Sequence, residues 1–402
     1  MIERAARRTP KEAAAVAGLA VAVAVFVGFT AVRHGFFDLK VYYGAVNYWI
    51  HDGGMLYDYL KPNSKYGFTY PPFAAIVMLP MAVVPWPVAI VISVLLSLGA
   101  TFALLWWLVL PLTRREGWTP WFALAVAFLL MAAFEPYRET ISFGQVNMLL
   151  LFLVAADLLV AVRGGRRWAG VGIGLATAIK LTPGIFILYL LVTRRWRATV
   201  TAAATATAAT LLAAAVDPAA SREFWISALW DTDRVGSLSF VSNQSLRGLV
   251  ARLSPEHPST LLWLALALAV LAVWAVRVRG ASVVDGLALT GIVGGLLSPV
   301  TWVHHLVWLL PALILLVDAA LRAPAGSPRR RGLLIFAGVA YAVLCSRLVW
   351  AWEGGFGGIG GFLGSNAYVF VSLALLLFLP TRSAESPGVP DRVQREPVAA
   401  AQ

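Results

Sequence analysis

The chain has 402 residues, 60% of them hydrophobic and only 13% charged, with a mean hydropathy of +0.78. Soluble globular domains carry roughly 25% charged residues, so the composition excludes a soluble cytoplasmic or secreted enzyme and a disordered chain, and points to an integral membrane protein. The net charge of +12 is then first a matter of which side of a membrane the charges occupy, and only second a clue to an anionic partner such as nucleic acid.

In chain order, apolar runs cover Ala13 to Val32, Trp86 to Leu112, Trp121 to Phe134, Val146 to Val162, Trp168 to Val192, Ala198 to Val216, Thr260 to Val276, Val283 to Leu297, Val303 to Leu321, Leu333 to Leu344 and Ala367 to Leu379. A helical crossing takes about 20 apolar residues, and several runs are shorter than that. Arg4, Arg7, Arg8 and Lys11 precede the first run, which places the N-terminus inside by the positive-inside rule. No small-residue cleavage site follows, so the run is read as a span and not a signal peptide.

Alternating from there puts Arg114/Arg115, Arg163/Arg166/Arg167, Arg277/Arg279, Arg322, Arg329 to Arg331 and Arg382 inside. Trp168 to Val192 lies between two basic clusters, so both its ends belong on the inner side. It is expected to be a tight hairpin of two short helices turning near Lys180, because Pro183 cannot continue a helix and a lone ammonium is unfavourable in lipid. The resulting fold class is an all-α polytopic membrane protein with about twelve crossings, some short, and both termini cytoplasmic. One transmembrane domain is expected over residues 1–380, followed by a polar cytoplasmic tail at 381–402 with the composition of a disordered segment. On this map the basic excess is nearly all inside, and the nucleic-acid reading falls away. A single cysteine, Cys345, excludes an internal disulfide and a cysteine metal cluster.

The long polar segments all fall outside, principally the first outer loop, 33–85, and a later one at 217–258. No internal repeat of the transporter kind is found. Chemistry is therefore expected at the outer surface, where no nucleotide pool exists and an enzyme must draw activated groups from a lipid carrier. Asp38 stands at the membrane edge just past the first run, where partial burial raises a carboxylate toward the range of a general base; a helix N-cap is the plainer role. Asp38, Tyr42 and Tyr43 share a helix face. Asp52-Gly53-Gly54 reads as a turn, and Asp58 among Tyr57 and Tyr59 as a sugar-binding or loop-anchoring carboxylate. Tyr70 and Trp86 bound a short apolar stretch, Phe73 to Pro85, expected as an interfacial helix that guides a lipid substrate sideways.

Arg138, Arg234, Arg247 and Lys180 are candidates for binding a phosphate, with headgroup contacts or surface ion pairs as the alternative. Glu135 and Glu139 beside Arg138 have the spacing of a local salt-bridge set. His304 and His305 open a span from the outer side. Neighbouring positions diverge by about 100° on a helix, which suits one ring facing a site while the other packs, and argues against a shared metal. No metal and no cofactor are expected.

Several strings, in order, resemble the polyprenol-phosphate-mannose-dependent mannosyltransferases of glycosyltransferase family 87, within the GT-C superfamily. They are Asp38 with Tyr42, FTYPP from Phe68, FGQVN from Phe143, GIGLATAIKLTP from Gly172, TDR from Thr232, SNQSLRGLVARL from Ser242 and SPVTWVHH from Ser298. Each is weak alone, but the ordered set covers about Asp38 to Leu310. The resemblance implies an inverting enzyme that moves mannose from polyprenyl-phosphate-mannose to a glycolipid or lipoglycan acceptor, often with α-1,2 linkage, at the outer face of the plasma membrane. It implies Asp38 as the essential acidic residue, His305 as the favoured member of the histidine pair and Lys180 as the lysine of the KLTP motif. Tyr42, Asp58, Tyr70, Arg234, Arg247 and His304 complete the candidate substrate-binding set. The readings to be separated from this one are a GT-C enzyme using another polyprenyl-linked sugar such as arabinose, a lipid-linked sugar flippase and a scaffold.

Overall fold

A computed structural model describes residues 2–231 and 234–382; the greater part of the expected tail, 383–402, lies outside the described residues. The described chain is helical, and an isolated antiparallel bridge pairs Leu60 with Gly67. In chain order the helices are α1 (Ile2–Thr30), α2 (Phe37–His51), α3 (Pro72–Val77), α4 (Trp86–Glu116), α5 (Pro120–Ala133), α6 (Glu135–Phe143), α7 (Asn147–Ala156), α8 (Val171–Ile179) and α9 (Ile185–Val192). They continue with α10 (Trp196–Val216), α11 (Pro218–Glu223), α12 (Leu246–Leu253), α13 (Thr260–Arg279), α14 (Val283–Leu297), α15 (Leu310–Arg322), α16 (Pro328–Cys345), α17 (Gly358–Ser365) and α18 (Ala367–Phe378).

Local signals set many of these boundaries. Ser245, Ser259, Ser282 and Ser327 each accept a backbone N–H three residues on, capping α12, α13, α14 and α16. Helix α4 ends at Gly117, whose φ of 65° suits a residue without Cβ. Among the described residues, five helices are long and apolar enough to cross a membrane, or seven if the two bent pairs, α5 with α6 and α17 with α18, each count as one span. Three shorter apolar segments, Asn147–Val162, Thr182–Val192 and Val283–Leu297, lie among them.

The segment expected to be a hairpin breaks at Lys180, which leaves the helical conformation at φ −149° and ψ 130°. A Cβ on Gly170 would meet Ala198 and Ala202, and one on Gly174 would meet Ala202 and Thr205, so α8 runs parallel to α10. Gly294 lies against Ile185 and Gly286 against Tyr189, so α9 runs back antiparallel to α14. Lys180 and Thr182 thus occupy the apex between two half-length helices. Asp157 secures the rising arm from below, its carboxylate accepting the N–H groups of Gly170 and Ile173 at 2.8 and 2.9 Å.

The first outer loop departs from expectation in one respect. The single interfacial helix expected over Phe73 to Pro85 is instead α3, six residues long, and a 3₁₀ turn at Leu79–Ala82, with Pro80 inside the break. The longer helix of this loop is α2. A second small core, built from Leu39, Tyr42, Val46, Tyr57, Phe68 and Tyr70 with Ala220 and Phe224 of the segment after α10, anchors the loop.

Candidate functional site

Asp38 is the second residue of α2. The N-cap is Phe36, in the left-handed conformation and without a side-chain cap, so the plain capping role for Asp38 does not apply. Its Oδ2 accepts the Gln145 Nε2–H at 2.6 Å. Burial raises the carboxyl to about 6, and the Gln145 hydrogen bond offsets this only in part. The close approach depends on Gly144, whose φ is 71° and where a Cβ would stand 2.5 Å from the Leu39 Cβ. Tyr42, one turn on, points the same way, whereas Tyr43 turns to the Val84 carbonyl and packs edge-on against Trp86, so the three residues do not act together.

Tyr70 is the hub. Its hydroxyl accepts from Tyr42 at 3.0 Å and from Lys180 Nζ at 3.3 Å, and donates to Gln145 Oε1 at 2.7 Å. It is 7% exposed, and burial raises its phenol well above the ordinary range; the membrane-anchor role fits Tyr70 poorly, since a phenol at the interface keeps its hydroxyl in water. Lys180 Nζ also donates to Asn147 Oδ1 at 3.2 Å and lies 2.9 Å from His305 Nε2. Five segments far apart in sequence therefore meet: α2, the FTYPP segment leading into α3, the start of α7, the α8–α9 apex and the turn before α15.

The two histidine rings diverge. They sit in a 3₁₀ turn, Val303–Leu309, with rings nearly perpendicular at 87°. His305 faces Lys180. His304 packs on Phe143 at 5.2 Å between ring centroids, is 5% exposed, and its carbonyl accepts from Thr140 and Asn147. The turn is held by the SNQS segment: Asn243 accepts the Thr301 N–H and donates to Pro299, Gln244 N–H donates to the Thr301 carbonyl, and Ser242 accepts the Val303 N–H.

Asp58 and Arg234 lie in a second place, beyond Tyr57 and Phe68, where with Lys65 they line a cavity of about 340 Å³. Arg234 donates to the Tyr57 carbonyl and pairs with Asp231. Arg247 is brought to neither place; it donates to Thr260 and lies over the Trp263 ring. Arg138 likewise turns away, donating to Thr30 and the Cys345 carbonyl. The local salt-bridge set is replaced by long-range pairs: Glu139 meets His34 at 2.7 Å and Arg347 at 2.9 Å, and Glu135 meets Arg347, Trp350 and Tyr368. Sequence reasoning passed over Gln145 and Asn147 as site residues, although both stand in the FGQVN string; His34 and Arg347 carry no local signal at all.

The geometry joins one half-buried carboxylate to a nitrogen pair, which suits deprotonation of a hydroxyl beside a bound anion. A profile described as glycosyltransferase family 87 matches residues 68–301. Two proteins of Mycolicibacterium smegmatis are each 35% identical to the chain. One, a polyprenol-phosphate-mannose-dependent alpha-(1-2)-phosphatidylinositol mannoside mannosyltransferase, aligns over 71% of this chain and 70% of its own length. The other, the corresponding pentamannoside mannosyltransferase, aligns over 73% and 72%. A Mycobacterium tuberculosis protein with the first description is 32% identical over 69% of each chain. No solved structure matches. The ordered motifs, the helical membrane architecture and these likenesses agree, and the chain belongs to glycosyltransferase family 87.

Proposed function

We propose that this membrane glycosyltransferase moves mannose from polyprenyl-phosphate-mannose to a hydroxyl of a phosphatidylinositol mannoside or a related lipoglycan, with α-1,2 linkage and inversion, on the outer face of the plasma membrane. The observation that carries the reading is the Asp38 carboxylate linked through Gln145 and Tyr70 to Lys180 and His305. The acceptor hydroxyl passes its proton to Asp38 as its oxygen bonds the anomeric carbon. The bond from that carbon to the phosphate oxygen breaks, and the polyprenyl phosphate departs with the electron pair toward Lys180 and His305. One base and no protein nucleophile is the requirement of inversion. The cavity bounded by Asp58, Lys65 and Arg234 has the hydrogen-bonding groups for the acceptor headgroup, whose hydroxyls suit the carboxylate and whose phosphodiester suits the cations.

The side assignment rests on charge. The helix α15 begins next to His305 and ends at Arg322, and Arg115 and Arg382 gather at that far end on Asp318, which makes the far end cytoplasmic by the positive-inside rule. Purified protein incubated with polyprenyl-phosphate-mannose and a panel of lipid acceptors tests donor, reaction and acceptor together; transfer of arabinose in preference to mannose, or no transfer, would overturn the reading. For sidedness, a cysteine at Asn63 in a Cys345→Ala background should react with an impermeant maleimide on intact cells, and one at Arg329 only after permeabilisation.

A further inference from the structure

The hydrogen bonds around Lys180 define where the protons are. The backbone N–H of Trp302 lies 3.1 Å from His305 Nδ1, and a backbone N–H can only donate, so Nδ1 is bare. A neutral imidazole with a bare Nδ1 carries its proton on Nε2. That N–H points at Lys180 Nζ, 2.9 Å away. An ammonium has three hydrogens and no lone pair, so it could not receive it. A neutral amine can: it has one lone pair for His305 and two hydrogens, and two acceptors stand ready in Asn147 Oδ1 and Tyr70 Oη. The surrounding hydrogen bonds agree with this assignment. Asn147 Nδ2 donates to the His304 carbonyl, which turns Oδ1 toward Lys180, and the Tyr70 proton is committed to Gln145.

We propose that Lys180 waits as a neutral amine, held by the His305 Nε2–H, and takes up one proton from solvent when the donor phosphate binds, whereupon the Nε2–H turns to the phosphate. This rests on the donor assignment above. In the empty enzyme a neutral amine spares the buried apex the desolvation of an ammonium. In the complex the new ammonium and the phosphodiester monoanion neutralise one another, so the site accepts a phosphate-linked sugar and gains nothing from an uncharged glycolipid. Lys180, His305 and Asn147, with Thr182, Phe186 and Trp308, line a cavity of about 20 Å³, which has room for about one water and must widen for the phosphate. The titratable groups facing Lys180 are Asp38 and Tyr42 from α2, Tyr70 from the first loop, and His304 and His305 from the turn before α15, with His34 farther out.

The full-length protein in detergent, titrated with a short-chain prenyl-phosphate-mannose, tests this. The donor is a phosphodiester and does not itself titrate near neutrality, so calorimetry in buffers of different ionisation enthalpy reads protons taken up by the protein. Uptake approaching one proton per donor at pH 8 is expected, with affinity falling up to about tenfold per pH unit above that. Lys180→Arg, permanently charged, should bind with no uptake and a flat profile. Binding to the wild type without proton uptake overturns the proposal, as does unchanged uptake in Lys180→Arg; no binding at any pH overturns the donor assignment itself. The chain has five histidines, so ¹⁵N-histidine spectra of the unliganded wild type, assigned with His305→Asn, supply a second reading. A bare Nδ1 and a protonated Nε2 at His305 are expected, and an imidazolium or the opposite tautomer would sink the idea.

Discussion

Asp38 commits one carboxylate oxygen to Gln145 and sits on a helix whose next turn carries Tyr42 into the same cluster. Removing its charge while keeping its shape, Asp38→Asn, is expected to lower turnover by about 10²–10⁴, the usual worth of a general base, with expression and donor affinity near normal. In the wild type the base must be ionised, so kcat/KM for transfer should rise with pH through about 6, the value to which burial lifts the group; a rate already level at pH 5 would remove Asp38 from that role. Asp58 belongs to a different step. Asp58→Asn should raise the acceptor KM by about tenfold, near one charged hydrogen bond's worth, and leave the donor KM unchanged in the same assay. Asp38, Tyr42 and Lys180 were legible in the sequence through charge, a shared helix face or a break in a helix, Tyr70 chiefly as an interfacial ring, and His305 over its neighbour only through the family resemblance. Gln145 and Asn147 were not, since an amide's role depends on which partners the fold brings to its two ends, and those partners lie as far as 107 and 157 residues away.

At the scale of elements, the hairpin at Lys180 was readable because basic clusters at both ends and Pro183 leave few other solutions. The short helix α6 was not readable as a helix. The chain turns by 71° at Phe134 and Glu135, and the segment stays helical because Glu135 and Glu139 find Arg347, from beyond α16, and His34. The SNQS string shows the same dependence on distant partners. In the sequence it is one of the strings of the family resemblance, with no role attached, and its observed contacts are with the turn that presents the histidines. Asn243→Ala would leave the buried Thr301 N–H unpaired, at a cost of about 1–3 kcal/mol, and would loosen the turn that aims His305. The expected outcome is a lower melting temperature together with a weakened donor affinity and an unchanged acceptor KM, since the Asp58 cavity is built from other segments. A variant that melts early but binds donor normally would show that the turn is held by other means.

The whole molecule places two polar layers at opposite ends of an apolar bundle. At one end stand Asp38, Lys180 and the histidines. At the other, Asp318 of α15 receives Arg115 from the end of α4 at 2.5 Å, Arg322 at 3.1 Å and Arg382 at 3.2 Å, while Asp285 at the start of α14 also takes Arg382. Arg382 falls in the segment expected to be a disordered tail, yet its guanidinium ties the end of α18 to α14 and α15. The two acids are nearly inaccessible, with side chains 3% and 1% exposed, whereas the arginines reach partly into solvent. The acids are therefore the more costly members to remove, because each deletion strands several donors at once. Asp318→Ala should destabilise the detergent-solubilised protein by about 1.5–3 kcal/mol, in line with the loss of hydrogen bonds to a charged group. The loss should be seen as a lower melting temperature. Since the clamp lies at the far end of α15 from His305, kcat and both KM values measured well below the transition should stay within twofold of the wild type. A stability loss that comes with a large rise in donor KM would mean that α15 transmits strain between its ends, and the two polar layers would then have to be treated as one unit.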